Sequence, residues 1–205
     1  MVKNFYPDRE FKAFLFDFDG TVADTMPAHL VAWNKALGVH GLGLSLEEHL
    51  NWAGRPTSEI VKLLSELHKI ELSYEEISKS KEFHYMGSIS SVKGIIPVVD
   101  IIKVSHGQVA MAIVSGSRRK QVQTTLSQLG MSHFFETLVC AEDYVVGKPA
   151  PDCFLKAAAI LKVEPKDCLV FEDGNLGIQA ALAAGMACLR VSEAPELGHA
   201  LSKIK

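Results

Sequence analysis

KAFLFDFDGTVADT, residues 12–25, places two carboxylates two positions apart at the end of a short apolar run. Ala13 to Phe16 have the composition of a strand buried on both faces. In an extended chain residues i and i+2 share a face. Asp17 and Asp19 can therefore point into one site while Phe18 turns toward the core. Gly20 lets the backbone curl tightly past whatever the carboxylates hold. Two acids this close repel unless a cation lies between them, and Mg²⁺ favours such oxygen-rich surroundings. The plainer alternative is a strand ending in a solvated acidic turn.

Three further apolar runs decide against that alternative. Val109 to Val114 ends in Ser115-Gly116-Ser117. Leu138 to Ala141 is followed by a loop carrying Gly147-Lys148-Pro149, and Leu169 to Phe171 ends in Glu172-Asp173-Gly174. Each run delivers a polar group just past its C-terminal end, which is where open parallel sheets place their ligands. Taken singly, Ser115 reads as a turn residue, Lys148 as a solvated loop lysine, and Glu172-Asp173 as a helix cap. Four such groups in order at one sheet edge make a catalytic site.

The interval between the first two runs is about ninety residues, far more than one crossover needs. It reads as helices. Leu30, Trp33 and Leu37 keep helical spacing up to Gly38. Ile60, Leu63, Leu64 and Leu67 form an i, i+3, i+4, i+7 stripe behind Pro56-Thr57. Ser73 and Glu76 form a capping-box pattern opening a helix to about Met86. Beyond it strands and helices alternate, with helices over Arg118–Leu129, Pro151–Leu161 and Asn175–Ala184. The expected fold class is α/β: a Rossmann-like, doubly wound parallel sheet with an inserted helical cap domain. Residues 1–23 and 93–205 are expected to form the core and 24–92 the cap, with hinges near Ala23–Thr25 and Ser91–Gly94.

The 205 residues are 48% hydrophobic with a formal net charge of −3, as in an ordinary globular protein. No basic stripe suggests nucleic acid, and no apolar run suggests a membrane partner. The first ten residues lack the apolar core of a signal peptide, and the four cysteines form no CxxC pair. A reducing cytoplasm and buried thiols are the expectation.

The order of these motifs (DFDGT, a serine after the second strand, a lysine, and a paired acidic motif) resembles the haloacid dehalogenase-like superfamily, in particular its β-phosphoglucomutase-like branch. GRPTSEI, GKPAPDCFL and FEDGNLGIQAALAAGM are similar to segments of fructose-1-phosphate phosphatase-like proteins. The likeness runs from about Phe11 to about Val191. It implies a Mg²⁺-dependent phosphatase acting on a small phosphorylated metabolite, a sugar phosphate among the candidates. By this resemblance Asp17 is the nucleophile that carries the phosphoryl group, and Asp19 is the general acid and base. Asp173 and Glu172 complete the metal site with Asp17 and the main-chain carbonyl of Asp19. Lys148 offsets charge, while Ser115, Gly116 and Ser117 bind phosphoryl oxygens.

Within the helical insertion His29, Trp33, Arg55, Lys81 and His84 could face the cleft. Trp33 reads as core, because it lies on the apolar stripe. Lys81 resembles a cap lysine of β-phosphoglucomutase-like enzymes, and Arg55 occupies a Gly-Arg-Pro turn. A phosphosugar mutase is the alternative, since Thr25 and His29 match positions of the mutase. A non-enzymatic receiver domain is disfavoured by the helical insertion and by Asp19. The substrate and the oligomeric state, monomer or weak homo-oligomer, stay open at this level.

Overall fold

In the computed structural model the described residues are 10–53 and 55–191. The first strand, β1 (Ala13–Phe16), has every residue buried. It lies at the centre of a parallel sheet, paired with β2 (Ala110–Val114) on one side and β4 (Cys168–Glu172) on the other. With β3 (Thr137–Val139) and β5 (Ala187–Arg190) the sheet order is β3-β2-β1-β4-β5. Ala13 stands opposite both Ala110 and Cys168, so the three central strands end level with one another. That shared end is the site edge.

Alternation along β1 divides the core between two faces. Phe14, Phe16 and Phe18 enter one cluster with Phe171 and with Val98, Ile101 and Ile102 of helix α5 (Ile96–Ser105). Ala13 and Leu15 enter the other, against Phe154, Ala157 and Ala158 of α7 (Asp152–Leu161) and Ala180 and Ala181 of α8 (Asn175–Ala183). Phe16 is fully buried and stacks on Phe171 with centroids 4.5 Å apart. Truncating such an aromatic to alanine costs about 3–5 kcal/mol. The remaining core helix, α6 (Arg119–Gln128), follows β2.

Between β1 and α5 the described residues form four α-helices, α1 (Met26–Gly38), α2 (Leu46–Asn51), α3 (Thr57–His68) and α4 (Tyr74–Met86), followed by a short 3-10 turn at Ile89–Ser91. They build a third cluster around Trp33, Leu37, Ile60, Leu64 and Ile77. The chain enters and leaves this layer through adjacent segments. Asp24 donates to the Lys93 carbonyl at 2.9 Å and Ile95 donates to the Val22 carbonyl at 2.9 Å. Among the described residues no helix is long and apolar enough to cross a membrane. The four cysteines are free and buried.

Several elements differ from the sequence expectation. The third strand ends at Val139, and a fifth strand, β5, follows α8. Helices α2 and α5 are additional. Six residues of α2 are too few to show a period, but Ser45 and Glu48 close a complete capping box at its start. At Ser73 only half of that motif forms, the serine oxygen accepting from the Glu76 N–H. Leu67 is 59% exposed, so the buried face of α3 is Ile60, Val61 and Leu64.

Candidate active site

Asp17 follows the last residue of β1, and its N–H donates to the Phe171 carbonyl at 2.9 Å, extending the β1–β4 pairing. The carboxylate therefore emerges at the sheet edge with its main chain fixed. Lys148 reaches it from the β3–α7 loop, with Nζ 2.5 Å from Asp17 Oδ1 and 2.7 Å from Glu172 Oε1. Glu172, the last residue of β4, is held at its other oxygen by the Gly174 N–H at 2.7 Å. All three side chains are buried. Burial alone would lower the Lys148 ammonium, but Asp17 and Glu172 beside it raise it well above the ordinary lysine range. It stays charged.

Asp173 comes in from the same β4 end. Its Oδ1 accepts from Thr21 Oγ1 at 2.8 Å, and its main-chain carbonyl accepts from Arg190 of β5 at 3.0 Å. Gly20 passes underneath with φ +93°, and a Cβ there would lie 2.4 Å from Asp173 Oδ2. Both the backbone conformation and the close approach require glycine at this position. A second glycine, Gly177 in the first turns of α8, leaves the space that the Glu172 side chain fills. A Cβ on Gly177 would lie 1.6 Å from Glu172 Oε1.

Asp17, Glu172 and Asp173 offer oxygens that all lie within 4.8 Å of one another. Burial pushes the Asp17 carboxyl well up; Lys148 pulls it down, and Glu172, Asp173 and Asp19 push it up again. Burial and Glu172 likewise raise Asp173. One lysine thus faces several carboxylates that it cannot neutralise together. An oxygen-rich cluster short of positive charge fits a hard divalent cation.

Asp19 points elsewhere. Its Oδ1 accepts from Thr25 Oγ1 at 2.7 Å and lies 3.0 Å from His29 Nε2. Its Oδ2 accepts from Ser115 Oγ at 3.0 Å and Ser117 Oγ at 2.6 Å. Burial works against ionisation of Asp19, yet its carboxyl lies well below the usual carboxylate range. A cationic His29 would contribute, but burial and then the Lys81 charge push the imidazole down. Hydrogen bonds from His29, Ser117 and Thr25 to an ionised carboxylate are the consistent account. The Asp19 side chain is not part of the three-carboxylate cluster. Only its main-chain carbonyl is left as a route to a metal.

The expected phosphoryl-binding serines are placed with some differences. Ser115 is fully buried; besides donating to Asp19, its Oγ accepts from the Ser117 N–H at 2.9 Å. Tyr144 donates to the Ser115 carbonyl at 3.0 Å and fixes this turn from the opposite loop. Gly116 and Ser117 line a cavity of about 300 Å³ that opens above Asp17 and Asp19. Its far wall comes from the helical layer and includes His29, Trp33, Arg55 and Lys81. Lys81 is buried, 4.9 Å from the centroid of the Trp33 ring, and burial lowers its ammonium to about 8 against the pull of Asp19. Trp33 is thus both core and wall. Arg55 is partly exposed and lies 3.4 Å from Glu59 Oε2. His84 is not among the lining residues. Sequence reading passed over Thr21, Tyr144, Gly177 and Arg190. Of these only Thr21 and Gly177 fall inside quoted motifs, and nothing in the pattern of the other two marks them.

Comparison with known proteins agrees with this geometry. Residues 14–191 match the haloacid dehalogenase-like hydrolase family. The fructose-1-phosphate phosphatase YqaB of Escherichia coli is 37% identical over 177 residues, 86% of this chain and 94% of its own. β-Phosphoglucomutase from Clostridium difficile superposes with a TM-score of 0.79 at 27% identity, over 88% of this chain and 84% of that one. A hydrolase from Pseudomonas syringae shares the fold with a TM-score of 0.80 at 22% identity, over 92% and 90% of the two chains. The chain belongs to the haloacid dehalogenase-like hydrolases. Within them it is a phosphoric monoester hydrolase.

Proposed function

We propose that the chain is a Mg²⁺-dependent phosphatase that hydrolyses a small sugar phosphate by way of a phosphoryl group carried on Asp17. The observation that carries this reading is the division of labour between two carboxylates. Asp17 lies against Lys148 in the acidic cluster, whereas Asp19 is held apart by four neutral hydrogen-bonding groups. That difference supports a role for the first in attack and for the second in handling protons.

Asp17, Asp173 and Glu172, with the Asp19 carbonyl, would hold Mg²⁺, which supplies neutralisation of phosphoryl charge when bound. Lys148 adds a fixed cation beside the attacking oxygen. A phosphoryl group entering above Asp17 would draw the Ser115 and Ser117 hydroxyls away from Asp19. Asp19 then loses two of the donors that keep it ionised, so burial favours its protonated form. In that form it gives its proton to the leaving alkoxide. Ionised again, it takes a proton from the water that attacks the phosphoryl group on Asp17.

Residues 24–92 act in this reading as a cap over a core of residues 10–23 and 93–191; the expected core bounds at 1–9 and 192–205 lie outside the described residues. The adjacent crossings at Val22–Asp24 and Lys93–Ile95 give it a narrow hinge, and closure would exclude water from the first step. Arg55 and Lys81 reach the cavity from the cap side and suit recognition of the leaving group. Fructose 1-phosphate, the substrate named for the Escherichia coli relative, is the first ester to assay. The grip of Thr25 and His29 on Asp19 is equally compatible with a phosphosugar mutase, so isomerised product must be measured beside free phosphate. Asp17→Asn should abolish hydrolysis, and chelation of the wild type should abolish it until Mg²⁺ is restored. Near wild-type turnover by Asp17→Asn, or full activity in chelator, would refute the mechanism.

A further inference from the structure

His49, on α2, is a group in the cavity wall that the mechanism leaves without a task. It is buried and lines the cavity. Its Nε2 lies 3.2 Å from the main-chain carbonyl of Met26 in α1. A carbonyl only accepts, so Nε2 carries the proton and Nδ1 carries a lone pair. Among the described residues no hydrogen-bond partner meets Nδ1, and it is not among the fully enclosed polar atoms, so on this cavity-lining residue it is left free to accept.

The ring has fixed protonation and fixed position. Burial first, with the Lys81 charge adding to it, lowers its pKa to about 4, so it is an uncharged acceptor at neutral pH. The α2 platform is clamped at its start, where Glu48 Oε2 accepts from the Ser45 N–H at 2.8 Å and the Glu48 N–H donates to Ser45 Oγ at 3.2 Å. Trp33 and Trp52 also line the cavity and add apolar surface beside the carbon skeleton of a ligand. An open lone pair on a neutral ring calls for a hydrogen-bond donor on the ligand. In an ester bound through its phosphate to Asp17 and Lys148, that donor is a hydroxyl of the alcohol part.

We propose that His49 is a specificity-determining residue, which accepts a hydrogen bond at Nδ1 from a hydroxyl of the leaving alcohol. The inference rests on the phosphatase reading and extends it: the alcohol is polyhydroxylated, and His49 distinguishes it from an alcohol without hydroxyls. A site built around such a bond rejects analogues lacking the donor, because its acceptor is left unpaired.

The test compares wild type, His49→Phe and His49→Gln on a panel of hexose, pentose and polyol phosphates that includes fructose 1-phosphate, with p-nitrophenyl phosphate as the hydroxyl-free ester. Phenylalanine keeps the ring and loses both nitrogens. Glutamine keeps an amide N–H for Met26 and offers a carbonyl oxygen as acceptor. For the best panel ester His49→Phe should lose about tenfold or more in kcat/KM, with p-nitrophenyl phosphate changed less than about twofold, and His49→Gln should recover part of the loss. Equal losses on both esters, accompanied by a lower unfolding midpoint, would reduce His49 to a staple between α2 and α1 and overturn the proposal. Wild type that hydrolyses p-nitrophenyl phosphate but no panel ester would also overturn it. Wild type inactive on every ester would instead overturn the phosphatase reading itself.

Discussion

Gly177→Ala offers the sharpest test of how the acidic motif is packed. A methyl group there would sit 1.6 Å from Glu172 Oε1 and 2.0 Å from Cδ, so the Glu172 side chain must leave its place. Leaving means breaking the 2.7 Å contact with Lys148 and the 2.7 Å bond from the Gly174 N–H. Hydrogen bonds to charged groups contribute about 1.5–3 kcal/mol each. Alanine in a helix interior returns up to about 1 kcal/mol. The net expectation is a loss of about 2–5 kcal/mol in urea unfolding at neutral pH. In a Glu172→Ala background the obstructing atoms are gone, and the same Gly177→Ala change should be neutral or stabilising by up to about 1 kcal/mol. Gly38→Ala is the control, because no atom lies within 4 Å of a Cβ at that position. An equal cost of Gly177→Ala in both backgrounds would refute the packing argument, since the damage would then not pass through Glu172.

Asp19→Asn should be inactive toward sugar phosphates while still allowing slow phosphorylation of Asp17, so that a phosphorylated protein accumulates and is visible by mass spectrometry; rapid release of phosphate without an adduct would contradict the proton-handling role. Lys81 carries a stability cost. Its fall from 10.5 to about 8 on burial corresponds to about 3 kcal/mol at about 1.36 kcal/mol per pH unit. The unfolded chain binds more protons than the folded one between about pH 8 and 10.5, so the penalty is fully present below pH 8 and fades as pH rises through that window. Lys81→Met should therefore be the more stable protein at pH 7, by up to about 3 kcal/mol, with the advantage shrinking at pH 10; unchanged or lower stability at pH 7 would contradict the burial argument. The same variant and Arg55→Ala should lose kcat/KM on the best sugar phosphate far more than on p-nitrophenyl phosphate, and no loss on either ester would return both residues to a structural role.

The parallel sheet and the order of the site groups along it were legible in the chain alone. Period 2 in AFLFDFD separates Leu15 and Asp17 from Phe16 and Phe18, and short apolar runs ending in Ser115, Glu172 and Asp173 have few other uses. Local signals of that kind survive in one dimension, because strand alternation and helix period are set by neighbours in the chain. They were weaker for α2 and β5, which are too short to show a period, whereas α5 carries one that went unread, with Val98, Ile101 and Ile102 buried and Asp100 and Lys103 exposed. Which groups meet was settled by packing alone. Lys148 and Asp17 are 131 positions apart, and Ser117 and Asp19 are 98 apart, so no spacing rule reaches them. The roles of Gly177, Arg190 and His49 are likewise three-dimensional. A missing side chain, a guanidinium bonded to a carbonyl, and an open ring nitrogen acquire meaning only once the neighbouring elements have been packed against them.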